Sequence, residues 1–293
     1  MKIRILTDSS CDLPFSFIQD NREYVDFIGM PIAIGDEEHL DDLGSTFSHD
    51  YFYMKLKEGS MPKTSQINTM SFYERFIELV EADFAVICIG LSSGLSGTFN
   101  NANLAKNMVM EERQDAQIHI VDTYSASIGL GALVVKAVDM IKAGMLVDEL
   151  VKFLEENRLR ANHWFSVDDL IHLKNGGRIP AAVAYVGTVL NVKPVLTMDH
   201  EGKLESFASV RGKKKAAKYL LSKVEENLKN HTETIIVGHA NIKDDADYLV
   251  REIRNMGYQN PIIETCLSAT IASHVGPGMM AIAFMGEKVR EVK

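Results

Sequence analysis

The segment Gly90-Leu91-Ser92-Ser93-Gly94-Leu95-Ser96-Gly97-Thr98 gathers hydroxyls and glycines between the apolar run 84–89 and a helical pattern that reaches Met110. A strand, a Gly/Ser loop and a helix start together make an anion site. Backbone N–H groups and the positive end of the helix dipole attract a phosphate or carboxylate, and hydroxyls add donors. No lysine follows the glycines, so this is not a Walker A loop. The same stretch holds a literal G-x-S-x-G at 90–94, the pattern of a hydrolase nucleophile elbow. On that reading Ser92 or Ser96 attacks and His274 is the base. A helix cap with a tight turn uses the same residue types.

Three further clusters each place a polar tip on a turn: Pro62-Lys63-Thr64-Ser65-Gln66, Gly176-Gly177-Arg178-Ile179 and His274-Val275-Gly276-Pro277-Gly278. Taken singly, Thr64 reads as a helix cap, Arg178 as a surface ion-pairing residue and His274 as a loop histidine. Their occurrence together is what suggests a site. The acidic run Asp36-Glu37-Glu38-His39-Leu40-Asp41-Asp42 lacks the ligand spacing and the glycine of an EF-hand, and reads as a solvated loop with no metal.

The 293 residues carry 31 Lys+Arg against 40 Asp+Glu, a net charge of -9, which argues against a nucleic-acid partner. The basic run Lys213-Lys214-Lys215 is too small to change that. Cys11, Cys88 and Cys266 are odd in number, with no CxxC pair, and fit a reducing cytoplasm. The apolar start is much shorter than a signal peptide and meets Asp8 at once. No stretch approaches the roughly 20 apolar residues of a membrane span. Even 181–192 carries Gly187, Thr188 and Asn191, so contact with a membrane is at most a transient one at its surface.

The elements that must position these residues alternate short apolar runs with amphipathic segments, the pattern of parallel strands covered by helices. Strands are expected at 3–6, 27–34, 84–89 and 118–121, and helices at 71–81, 97–110, 131–143 and 146–157. Beyond a polar stretch at 158–163, strands are expected at 164–167, 193–198, 204–210, 234–238, 262–264 and 279–284. Helices are expected at 169–175, 213–229 and 244–256, and a hairpin turn at His200-Glu201-Gly202-Lys203. The fold class is α/β: a Rossmann-like parallel-sheet domain over 1–160 and an α+β domain with a mixed sheet over 161–293.

Five segments in this order resemble the DegV family: Thr7-Asp8-Ser9-Ser10-Cys11-Asp12-Leu13-Pro14, the Pro62 segment, Leu91 to Thr98, Asp168-Asp169-Leu170 through Ile179, and the His274 segment. The resemblance spans essentially the whole chain. It implies a fatty-acid-binding carrier with a long acyl chain buried between the two domains and no cofactor. It also implies an ATP-dependent fatty-acid kinase as partner, which returns the acid as an acyl-phosphate for phospholipid synthesis. By that resemblance Thr64 and Ser96 hold the carboxylate, with the N–H of Gly97 beside them. Arg178 and His274 lie close to it and assist when phosphate is added, and Arg211 meets the kinase. Two other readings stay open: the serine esterase or lipase above, and a sugar- or triose-binding subunit akin to those of dihydroxyacetone kinases.

Overall fold

Residues 2–180, 191–229 and 232–293 are described by the computed structural model of the chain. The stretch 181–190, part of the 181–192 region discussed for membrane contact, lies outside them. Strands β1 (Lys2–Asp8), β2 (Val25–Ile28), β6 (Phe84–Gly90) and β7 (Ile118–Asp122) form a sheet in the order β2-β1-β6-β7, parallel throughout. β6 reads FAVICIG and is buried along its length except at its two ends. Such a continuous apolar run is what a strand covered on both faces requires.

A second sheet holds six strands in the order β10-β9-β8-β13-β11-β12. They are β8 (Ala161–Ser166), β9 (Val192–Met198), β10 (Leu204–Arg211), β11 (Ile235–His239), β12 (Ile262–Cys266) and β13 (Met280–Met285). All pairings are antiparallel except β11 with β12, so the sheet is mixed, as the sequence suggested. The helix Ser127–Lys142 lies between the two sheets and touches β1 and β6 on one side and β8, β11 and β13 on the other. From Ser127 to Val138 all its residues but Lys136 are buried, which marks a stretch of helix enclosed on nearly all faces.

Two expectations are corrected by a third sheet, β4-β3-β5, built from β3 (Met30–Ile34), β4 (Glu37–Asp41) and β5 (Lys63–Thr64). The run 27–34 is not one strand: β2 ends at Ile28 and β3 begins at Met30 in a different sheet. Gly29 marks the break, packed so closely on the chain opposite that a Cβ there would meet the Asp41 carbonyl at 2.6 Å. The acidic run is no solvated loop either. Its residues 37–41 pair with β3 as a hairpin, and Asp41 is fully buried. Glu37 and Glu38 stay exposed, so the run keeps its charge on the outside while its last carboxylate turns inward. Sequence patterning also passed over the short helix Ala269–Val275, which turns out to carry His274.

Phe284 in β13 is completely buried at the middle of the six-stranded sheet. Phe284→Ala should lower the free energy of unfolding by about 3–5 kcal/mol, read as a lower urea midpoint at unchanged slope.

Candidate functional site

Three buried carboxylates set the loops that face one another between the sheets. Asp8, at the end of β1, accepts hydrogen bonds from the Ser10 amide at 2.9 Å, the Ser10 hydroxyl and the Leu91 amide at 3.0 Å. It thereby seats the start of the Gly/Ser loop. Asp12 accepts from the Ser268 amide at 2.7 Å and from the Ser127 hydroxyl. Asp41 accepts from the Thr270 amide at 2.8 Å and from the Thr270 hydroxyl. Ser268 is the cap of the helix Ala269–Val275 and Thr270 lies in its first turn, so carboxylates of the N-terminal half fix the element that bears His274.

The Gly/Ser loop differs from the open amide cradle that its sequence suggests. Its amides from Leu91 to Ser96 all find partners inside the protein: Asp8, the Ser125 carbonyl, Asp122, the Ser92 hydroxyl and, twice, the Ser92 carbonyl. Ser96 Oγ accepts from the Thr98 amide at 3.2 Å and donates to Thr98 Oγ1 at 3.0 Å, as a capping hydroxyl does. Gly97, the N-cap of the helix Thr98–Glu112, lies against Gln66, whose amide a Cβ at 97 would meet at 2.7 Å.

Nor does the nucleophile elbow find its partners. Ser92 is completely buried; its hydroxyl donates to the Gly202 carbonyl at 2.8 Å and accepts from the Gly94 amide at 3.1 Å. The strained backbone of such an elbow is missing as well, since Ser92 is not among the described residues with positive φ. Gly202 itself sits at φ +74, where a Cβ would strike Ser92 Oγ, so turn and loop are fitted to each other. The buried Arg290 holds that turn from behind, donating to the carbonyls of Asp199 and, at 2.7 Å, Tyr124.

His274 instead meets Thr64: their Nε2 and Oγ1 atoms are 2.8 Å apart. Thr64, Ser96, Arg178 and His274 all line one cavity of about 410 Å³, within the roughly 300–1,000 Å³ of small-molecule sites. Its walls are mostly apolar, with Met30, Leu91, Leu95, Phe165, Leu173 and Met279 among them. Residues from both the 2–122 sheet region and the 161–285 sheet region contribute. Arg211 is elsewhere, exposed at the end of β10. Sequence reasoning missed Gln66 as the neighbour of Gly97, and missed His163 and Ser127, which also line the cavity. The alternation Ala161, His163, Phe165 in β8 was the available signal for His163.

Burial, with Arg178 and His172 nearby, lowers the His274 pKa to about 4. Burial and the Arg290 guanidinium hold His163 at about 3. Both rings are therefore neutral near pH 7. Burial lowers the Arg178 pKa as well and raises that of Asp12 to about 7. Among the described residues, no group of three His, Cys, Asp or Glu side chains is placed to hold a metal ion.

The cavity is mostly apolar, with hydroxyl, imidazole and guanidinium groups gathered on its lining. The chain belongs to the DegV family, described as uncharacterised proteins, whose model matches residues 2–287. A DegV domain-containing protein of Clostridium perfringens is 38% identical over 287 residues, 98% of each chain. A DegV family protein from Thermus thermophilus, reported with fatty-acid binding, is 29% identical at a TM-score of 0.87, over 98% of this chain and 100% of that one. DegV from Bacillus subtilis, a fatty acid binding protein, is 28% identical at a TM-score of 0.85, again over 98% and 100%.

The low pKa of His163 makes stability depend on pH. The unfolded chain protonates this histidine below about pH 6.5 whereas the folded one does not until about pH 3, so its contribution is lost as pH falls through that window. Asp12 acts oppositely, its contribution fading as pH rises from about 4 to about 7. His163→Phe should flatten the acid side of the stability profile by up to ~1.4 kcal/mol per pH unit relative to the parent, measured by urea unfolding between pH 7.5 and 4.5.

Proposed function

We propose that the protein is a carrier for a long-chain fatty acid, bound in the cleft between 1–160 and 161–293, whose carboxylate it presents to an ATP-dependent fatty-acid kinase. The observation that carries this reading is the union of an apolar cavity with the Thr64–His274 pair, Ser96 and Arg178 on its lining. The fatty-acid binding reported for the relatives from Thermus thermophilus and Bacillus subtilis supports it.

Each part has a physical task. A methylene leaving water contributes about 0.8 kcal/mol, so about fourteen of them supply on the order of 10 kcal/mol towards binding. The polar groups add less energy but fix which end of the chain stays near the kinase. Thr64 donates its hydroxyl to the carboxylate, Ser96 turns its own away from Thr98 Oγ1 to do the same, and the helix start at Gly97 adds the favourable end of its dipole. Arg178 is the fixed positive charge of the set. A neutral His274 donates a hydrogen bond without adding charge, and takes up a proton as negative charge grows during phosphorylation. Arg211, exposed on β10, serves the kinase contact. The product is an acyl-phosphate, fit for phospholipid synthesis.

Unpaired Cys11, Cys88 and Cys266 agree with a cytoplasmic setting. Among the described residues no helix is long and apolar enough to cross a membrane, so any membrane contact in this scheme is a surface one. The esterase reading is weaker because the Ser92 hydroxyl is committed to Gly202 and Gly94, and His274 to Thr64.

Titration of the delipidated protein with palmitic acid tests the proposal. Saturable one-to-one binding is expected, weakened roughly tenfold by Ser96→Ala, the loss of one hydrogen bond to a charged group. Absence of binding would sink the carrier reading, and an unchanged affinity in Ser96→Ala would remove Ser96 from the site. Arg178→Ala and His274→Ala should slow acyl-phosphate formation by the kinase more than they weaken binding, read by trapping the product as a hydroxamate.

A further inference from the structure

One polar group on the cavity wall has no task in the reading above. His163 lies within β8, the third strand of the six-stranded sheet, on the same side as Phe165, while Trp164 points into the core on the other side. Its ring is tilted against Phe165, with centroids 5.2 Å apart and planes at 31°. The residue is 2% exposed, and neither Nδ1 nor Nε2 has a hydrogen-bond partner among the described residues.

Because burial keeps the imidazole neutral, one of its nitrogens is an N–H donor and the other an acceptor. Both are unmet, which a protein interior rarely tolerates without reason. A leucine or phenylalanine would fill the same place beside Phe165 and leave nothing unsatisfied. Nor do Thr64, Ser96, Arg178 and His274 satisfy it: none of them hydrogen-bonds to His163, and Thr64 and His274 are occupied with each other. Ser127 brings a second polar atom to the same cavity; its hydroxyl donates to Asp12, which leaves its oxygen able to accept.

We propose that the cavity is shaped for a long-chain fatty acid bearing a hydroxyl group along its chain, with His163 as the partner of that hydroxyl. This rests on the fatty-acid reading and narrows its ligand class. A hydroxyl both donates and accepts, so it can partner whichever imidazole nitrogen faces the chain in either tautomer, whereas a plain hydrocarbon partners neither nitrogen. His163 is then a specificity-determining residue, distinct from the carboxylate-binding set.

The test compares palmitic acid with a set of hydroxypalmitic acids that carry the hydroxyl at successive carbons, each titrated into delipidated protein and into His163→Leu. For the parent, at least one hydroxy isomer should bind roughly tenfold tighter than palmitic acid, the worth of one buried hydrogen bond. In His163→Leu the preference should invert in favour of palmitic acid. His163→Phe, which keeps an aromatic ring against Phe165, takes its place if the leucine variant does not fold. Palmitic acid binding tighter than every hydroxy isomer, or a hydroxyl preference that survives in the variant, would overturn the assignment while leaving the carrier reading intact. Failure of palmitic acid and of all the hydroxy acids to bind would instead remove the carrier reading, and this inference with it.

Discussion

The helix that carries His274 is held at its first turn by two carboxylates buried with it, and the geometry of the site depends on that anchorage. Asp12 and Asp41 belong to the N-terminal half, whereas Ser268 and Thr270 belong to the C-terminal half. A buried carboxylate without partners is strongly disfavoured, so each depends on the opposite half, Asp12 for the Ser268 amide and Asp41 for the amide and hydroxyl of Thr270. The two halves are thereby set in register. Tyr53 reinforces the joint by donating to the Leu267 carbonyl at 3.1 Å, just ahead of the same helix. Displacing that helix would part Nε2 of His274 from Thr64, and the polar corner of the cavity would lose its shape.

The same logic accounts for the internal wiring of the Gly/Ser loop. Asp8 and Asp122 take up two of the loop's amides, Ser125 and Ser92 take up the rest, and the hairpin at Gly202 takes the Ser92 hydroxyl, so the loop is held from within. What remains on the cavity side is Ser96 at a helix start, opposite a threonine, an arginine and a neutral histidine. That set donates hydrogen bonds and carries a single fixed positive charge, a combination suited to a monoanion at the end of an apolar slot.

Most of the architecture was legible because it follows from periodicity. β6 and the helix Ser127–Lys142 announce burial by unbroken apolar runs, and β9 and β10 announce a hairpin around Gly202. The two departures share a cause: the burial of a charged or turn residue is decided by partners far away in the chain. Asp41 is indistinguishable in sequence from its exposed neighbours, because only its partner Thr270, far away in the chain, shows why it is buried. The break at Gly29 likewise depends on the close approach of Asp41. For the candidate site, the turn clusters placed Thr64, Ser96, Arg178 and His274 in view, and the family resemblance grouped them. Their meeting in one cavity, and the unmet imidazole of His163, required the folded chain.

Native mass spectrometry of the freshly purified protein, followed by organic extraction and lipid analysis, tests the central claim most directly. The account predicts one long-chain fatty acid per chain, released on denaturation and identified in the extract. A protein that carries no lipid and fails to take one up, or that carries a small polar ligand in its place, would contradict it.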